Sequence, residues 1–142
     1  MPKSLVVDAN FAFRLLLPGP QQAVYRSLIA GWLRDGHDLY APSLWLYEIT
    51  SALGKAVRFG ELAPEEGARL LALARTLAIH LVPPDDVQAR SAYDWTLRLD
   101  RAAAYDSFYL ALAQSLECDL WTADRRLHNA VGQPWVCLAG EA

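Results

Sequence analysis

Four acidic residues, Asp8, Glu48, Asp106 and Asp124, stand where carboxylates could act together. Asp8 closes the β-branched run Leu5-Val6-Val7, and Asp124 follows Leu120-Trp121-Thr122 by one residue. Both runs read as buried strands, and an open parallel α/β sheet binds its ligands beyond the carboxyl ends of its strands. Glu48 lies early in a helix that leaves the second strand, so it starts at the same edge. Asp106 falls in the first half of a helix read from about Ala102 to Glu117, with Ala102, Ala103, Tyr109 and Leu110 one turn away. There a carboxylate interrupts an apolar stripe. Burying it unpaired is costly, so a compensating charge is expected. Lys3 and Lys55 are the only lysines. An arginine would otherwise have to supply the charge; a divalent cation is the other compensation, and an all-oxygen site suits Mg²⁺ or Mn²⁺. The chemistry this implies is phosphodiester hydrolysis.

Each acid also has a plainer reading. Asp124 before Arg125-Arg126-Leu127 can cap a helix, Asp8 can begin an Asx-turn, and a lone glutamate on a helix is commonly exposed. Their joint placement on one edge favours the site.

The elements that must position these acids alternate along the chain. Leu5–Val7, Asp38–Ala41, Leu77–Val82, Asp119–Thr122 and Trp135–Leu138 read as strands. Helices are expected over Asn10–Leu17, Gln21–Asp35, from Pro42-Ser43 to Gly60, from Pro64 onward, from Asp85 or Asp86 to Asp100, over Ala102–Glu117 and near Arg125–Ala130. Strands separated by helices imply right-handed crossovers, and so a parallel sheet of about four to five strands between helical layers, an α/β/α sandwich. Residues 1–142 read as one domain.

With 54% hydrophobic and 20% charged residues in 142, the chain can bury a core, which excludes the disordered class. Cys118 and Cys137 form no CxxC pair, so packing thiols in a cytoplasmic protein are expected. No signal peptide precedes Asp8, and no uncharged run is long enough to span a bilayer. His37, His80 and His128 lack metal-ligand spacing. The net charge of −3 at first opposes nucleic-acid binding. Setting aside the four candidate acids leaves 13 basic against 12 acidic residues, and the objection falls. Arg125 and Arg126 beside Asp124, Arg14 on the first helix and Lys55 two turns past Glu48 are candidate phosphate contacts.

At Asp8-Ala9-Asn10, Pro42-Ser43-Leu44-Trp45-Leu46-Tyr47-Glu48, Tyr105 to Ala113 and Trp121-Thr122-Ala123-Asp124, the chain resembles the PIN-domain nucleases, most of all the VapC toxins of toxin–antitoxin pairs. The acids follow one another at intervals of 40, 58 and 18 residues, in the family's order. The resemblance implies a PIN-like fold and a Mg²⁺- or Mn²⁺-dependent endoribonuclease. Its acidic quartet would be Asp8, Glu48, Asp106 and Asp124, with Asn10 and Thr122 in support. Asp8, Asp106 and Asp124 would be the metal ligands, and Glu48 would position or deprotonate the attacking water. The resemblance also implies an RNA substrate, a homodimer, and a small antitoxin protein that inhibits the enzyme. Trp32, Trp45 and Tyr47 are the aromatic residues expected to receive that antitoxin. Trp121 is bulkier than the usual aliphatic residue, and residues 60–100 carry no family motif.

Two rival classes fit less well. A phospho-acceptor domain wants an acid pair at the first strand and a lysine after a late one; a haloacid-dehalogenase-like phosphatase wants Asp-x-Asp where Asn10 stands. An RNA-processing PIN nuclease outside toxin–antitoxin systems, or a catalytically silent binding module, is the closer alternative.

Overall fold

The computed structural model describes residues 3–140. Five strands, β1 (Ser4–Val7), β2 (Asp38–Pro42), β3 (Ile79–Val82), β4 (Asp119–Thr122) and β5 (Val136–Leu138), form one sheet in the order β3-β2-β1-β4-β5. Every pairing is parallel: Leu5 lies opposite Leu39 and Asp119, Leu39 opposite Ile79, and Leu120 opposite Val136. Among the described residues seven helices connect them: α1 (Ala9–Leu16), α2 (Gln22–Arg34), α3 (Leu44–Arg58), α4 (Pro64–Thr76), α5 (Asp86–Arg98), α6 (Tyr105–Ser115) and α7 (Arg125–Val131).

Alternation along β1 divides the core. Val6 enters a cluster with Trp45, Ile49, Tyr109, Leu110 and Leu120, while Leu5 and Val7 pack with Phe11, Tyr25 and Ile29 on the other side. Helix α1 contributes to both clusters, Ala12 and Leu16 to the first, Phe11 and Leu15 to the second. The sheet therefore lies between helical layers, as the alternation of strands and helices requires. Among the described residues no helix is long and apolar enough to cross a membrane.

Several boundaries differ from the sequence reading for local reasons. Strand β3 starts at Ile79, because the Leu77 N–H bonds the Ala74 carbonyl and closes α4. Helix α6 starts at Tyr105, since the chain first completes the end of α5. There the Asp100 N–H bonds Leu97 O at 3.2 Å and the Arg101 N–H bonds Thr96 O at 3.1 Å, with Asp100 at φ 52°. This is a Schellman ending with aspartate in the left-handed position that glycine usually takes. Ala102 and Ala103 are consequently outside α6 and exposed. The expected apolar stripe around Asp106 is thus corrected: only Tyr109 and Leu110 of those four neighbours are buried beside it.

Candidate functional site

The chain runs outward from β1 through β2 to β3, then returns to β4 on the other side of β1. Beyond the carboxyl ends of β1 and β4 lies the switch point where such sheets open a crevice. Asp8 and Asp124 leave those two strand ends, and each caps a helix. One oxygen of Asp8, Oδ1, accepts the Phe11 N–H at 2.8 Å at the start of α1. Asp124 Oδ1 accepts the N–H groups of Arg126 at 2.9 Å and Leu127 at 3.2 Å at the start of α7. The capping reading of Asp124 is therefore realised, while Asp8 caps α1 through the Phe11 N–H rather than opening an Asx-turn, and both caps hold the acids at the crevice.

Thr122 joins the two. Fully buried, it donates its hydroxyl to Asp8 Oδ2 and accepts the Asp124 N–H at 2.9 Å. Asp8 is itself only 5% exposed. Burial pushes its carboxyl up to about 7, against the bonds from Thr122 and Phe11, and the charges of Asp106 and Asp124 push it further the same way.

Glu48, in the second turn of α3, accepts a hydrogen bond on Oε1 from the Tyr109 hydroxyl at 2.6 Å. Burial raises its carboxyl, the Tyr109 bond lowers it and the charge of Asp106 raises it. Asp106 lies in the first turn of α6, where a negative charge suits the helix dipole. Its pKa is raised by burial, lowered by Arg101 and raised by Asp124. Arg101 Nη1 stands 3.6 Å from Asp106 Oδ2.

Asp8, Glu48, Asp106 and Tyr109 line one cleft of about 270 Å³, with Asn10 and Phe13. Asp124 lines an adjoining polar cleft of about 440 Å³ that it shares with Asn10, Arg14, Arg125 and Arg126. Asn10, on the outer face of α1, stands where the two meet. Gly140 closes the second cleft at φ 69°, where a Cβ would collide with the Tyr25 hydroxyl, so only glycine fits. Of the four expected cationic contacts, three share this cleft. Lys55 does not: it lines a groove of about 620 Å³ with Tyr47, Tyr105 and Glu48.

The donor set is oxygen only and crowded with negative charge, which fits a hard divalent ion. Among the described residues no three His, Cys, Asp or Glu side chains stand close enough together to hold a metal ion by themselves. Two contributors escaped the sequence reading. Tyr109 counted only as an apolar neighbour of Asp106, although its hydroxyl was the sole polar group there. Arg101 supplies beside Asp106 the positive charge that the sequence left to an arginine without a position.

The aromatic expectations are partly corrected. Trp45 is 2% exposed within the core cluster, because the α3 stripe with Ile49 and Leu53 faces the sheet, and its indole nitrogen has no partner among the described residues. Trp32 packs between Phe11 and Trp121 at ring separations of 5.3 and 5.2 Å, away from the cleft. Tyr47, 70% exposed, remains available.

The model of the PIN domain family matches residues 5–132. A VapC ribonuclease of Mycobacterium bovis and Ribonuclease VapC9 of Mycobacterium tuberculosis are each 37% identical over 125 residues, 88% of this chain and 89% of theirs. Among solved structures, VapBC2 from Rickettsia felis bound to a promoter DNA fragment superposes with a TM-score of 0.69 at 12% identity, covering 95% of this chain and 96% of that one.

Proposed function

The chain belongs to the PIN-domain family and stands with its VapC ribonucleases, and from that premise we propose a divalent-metal-dependent endoribonuclease that acts as the toxin of a toxin–antitoxin pair. The observation that carries the reading is the gathering of Asp8, Glu48 and Asp106 in one cleft at the sheet's switch point. Asp8 and Asp106 would hold Mg²⁺ or Mn²⁺, with Asp124 assisting from the adjoining cleft. When bound, such an ion lowers the pKa of a coordinated water and offsets charge on the phosphate.

The chain's own groups then do the rest. Tyr109 occupies Glu48 Oε1, which leaves Oε2 to take the proton of the attacking water. The Thr122 hydroxyl fixes the Asp8 carboxylate and so ties the ends of β1 and β4 together, while its acceptance of the Asp124 N–H holds the turn that carries Asp124. Arg14, Arg125 and Arg126 offer the adjoining cleft to the RNA backbone, and Asn10 stands between that backbone and the acids.

Inhibition by a small antitoxin and pairing of two copies complete the reading. Tyr47 and Tyr105, 70% and 64% exposed, flank the groove beside Glu48, and a segment laid there would close the acidic cleft.

The test is cleavage of total RNA by the purified, antitoxin-free protein with Mg²⁺, Mn²⁺ or EDTA, beside Asp8→Asn and Asp106→Asn. Cleavage that needs metal and is lost in both variants is expected. Undiminished metal-dependent cleavage by Asp106→Asn overturns the assignment.

A further inference from the structure

Arg101 occupies an unusual place relative to the acids. Its guanidinium faces Asp106 Oδ2 at 3.6 Å, a charge contact too long for a hydrogen bond, with the two side chains 33% and 38% exposed. Its backbone is fixed independently of that contact. The Schellman ending of α5 holds Asp100 and Arg101 by their N–H groups, so the side chain springs from a set point beside Asp106, which lines the acidic cleft.

A carboxylate oxygen loosely paired to an arginine in the cleft a metal ion must enter is contested. The guanidinium supplies a single charge through a half-exposed contact, whereas a divalent ion supplies two and bonds the oxygen directly. Once the ion holds Asp106, Arg101 loses its partner and is repelled by the new charge. Its fixed backbone keeps the side chain within reach of the cleft. The phosphate that follows the metal into the cleft is an anion whose geometry suits the guanidinium fork.

We propose that Arg101 has two alternating partners: it is the counter-ion of Asp106 in the metal-free protein, and on metal binding it transfers to a phosphate of the RNA. This rests on the metal-dependent cleavage proposed above. The two roles act in opposite directions, so removing the side chain must help metal binding and harm substrate binding.

Calorimetry with Mn²⁺ alone, on the wild type, Arg101→Gln, Arg101→Lys and Asp106→Asn, reads the first role. Arg101→Gln is expected to bind Mn²⁺ about two- to fivefold more tightly, the range of a half-exposed ion pair. Arg101→Lys, which keeps the charge, is expected to stay near wild type. Steady-state cleavage of a single-stranded RNA in saturating Mn²⁺ reads the second. Both variants are expected to raise KM at nearly unchanged kcat, because lysine lacks the fork. Mn²⁺ binding that is lost in Asp106→Asn but unaltered in Arg101→Gln overturns this proposal alone. Mn²⁺ binding indifferent to Asp106→Asn overturns the metal reading and this proposal with it. Tighter Mn²⁺ binding with KM unmoved overturns the transfer to phosphate.

Discussion

The hydroxyl of Tyr109 lies 2.6 Å from Oε1 of Glu48, across 61 residues of sequence, and joins α6 to α3 at the floor of the acidic cleft. The tyrosine is 1% exposed, so its ring is core and only its oxygen belongs to the site. Its bond favours the charged form of Glu48, while burial and Asp106 oppose that form. Tyr109→Phe keeps the ring and removes the bond. Glu48 then holds its proton to higher pH. The acid limb of the pH–rate profile should move upward and kcat should fall by about tenfold, roughly 1.4 kcal/mol of barrier. A profile that does not move sinks the assignment of Glu48 as the base.

Asp8 couples folding to pH. Its carboxyl releases its proton near 7 in the folded chain and near 3.8 in the unfolded one. Between those values the folded state holds a proton that the unfolded state has lost. Its contribution to stability therefore falls as pH rises through that window and levels off above it. The metal-free protein should melt a few degrees higher at about pH 5 than at about pH 8, and Asp8→Asn should flatten the difference. Thermal melts of both across that range decide it. An equal slope in the variant assigns the effect elsewhere.

Arg14 and Arg126 share the polar cleft beside Asp124 and are both exposed. If each neutralises one phosphate of single-stranded RNA, each loss should lower the salt slope of binding by about 0.7. The double alanine variant should therefore bind RNA more weakly and with a slope shallower by about 1.4. The measurement is RNA binding over a salt series, and an unchanged slope removes these residues from the interface.

Glu117 ends α6 at φ 52°, where its N–H bonds Gln114 O and the Cys118 N–H bonds Ala113 O. A side chain is strained in that conformation and glycine is not. Glu117→Gly should stabilise the fold by about 0.5–1 kcal/mol with cleavage unchanged. Chemical denaturation of the variant tests it. A loss of stability would mean that the exposed side chain makes a contact worth more than the strain.

The acids were legible because strand ends are legible. Leu5-Val6-Val7 before Asp8 and Leu120-Trp121-Thr122 before Asp124 are short β-branched or apolar runs that end at a carboxylate, and parallel topology brings such ends to one edge. Trp45 and Glu48 show where that logic stops. Three residues apart on α3, one faces the core and the other the cleft. Sequence spacing places them near the same edge without saying which side of the helix the sheet will cover.

By itself the sequence determined the order of elements, the parallel sheet and the four acids on one edge, because strand and helix periodicity and strand-end position are local properties. Only the tertiary structure decided which acids share a cleft. Asp8, Glu48 and Asp106 converge while Asp124 turns into the next cleft with Arg14 and Arg126. It alone also supplied their partners. The Thr122 bond to Asp8 spans 114 residues and the Tyr109 bond to Glu48 spans 61, and such contacts exist only once the sheet and its helices have packed. Arg101 reaches Asp106 because α5 ends on Asp100 in a left-handed turn, and the start of α6 shifts to Tyr105 as a result.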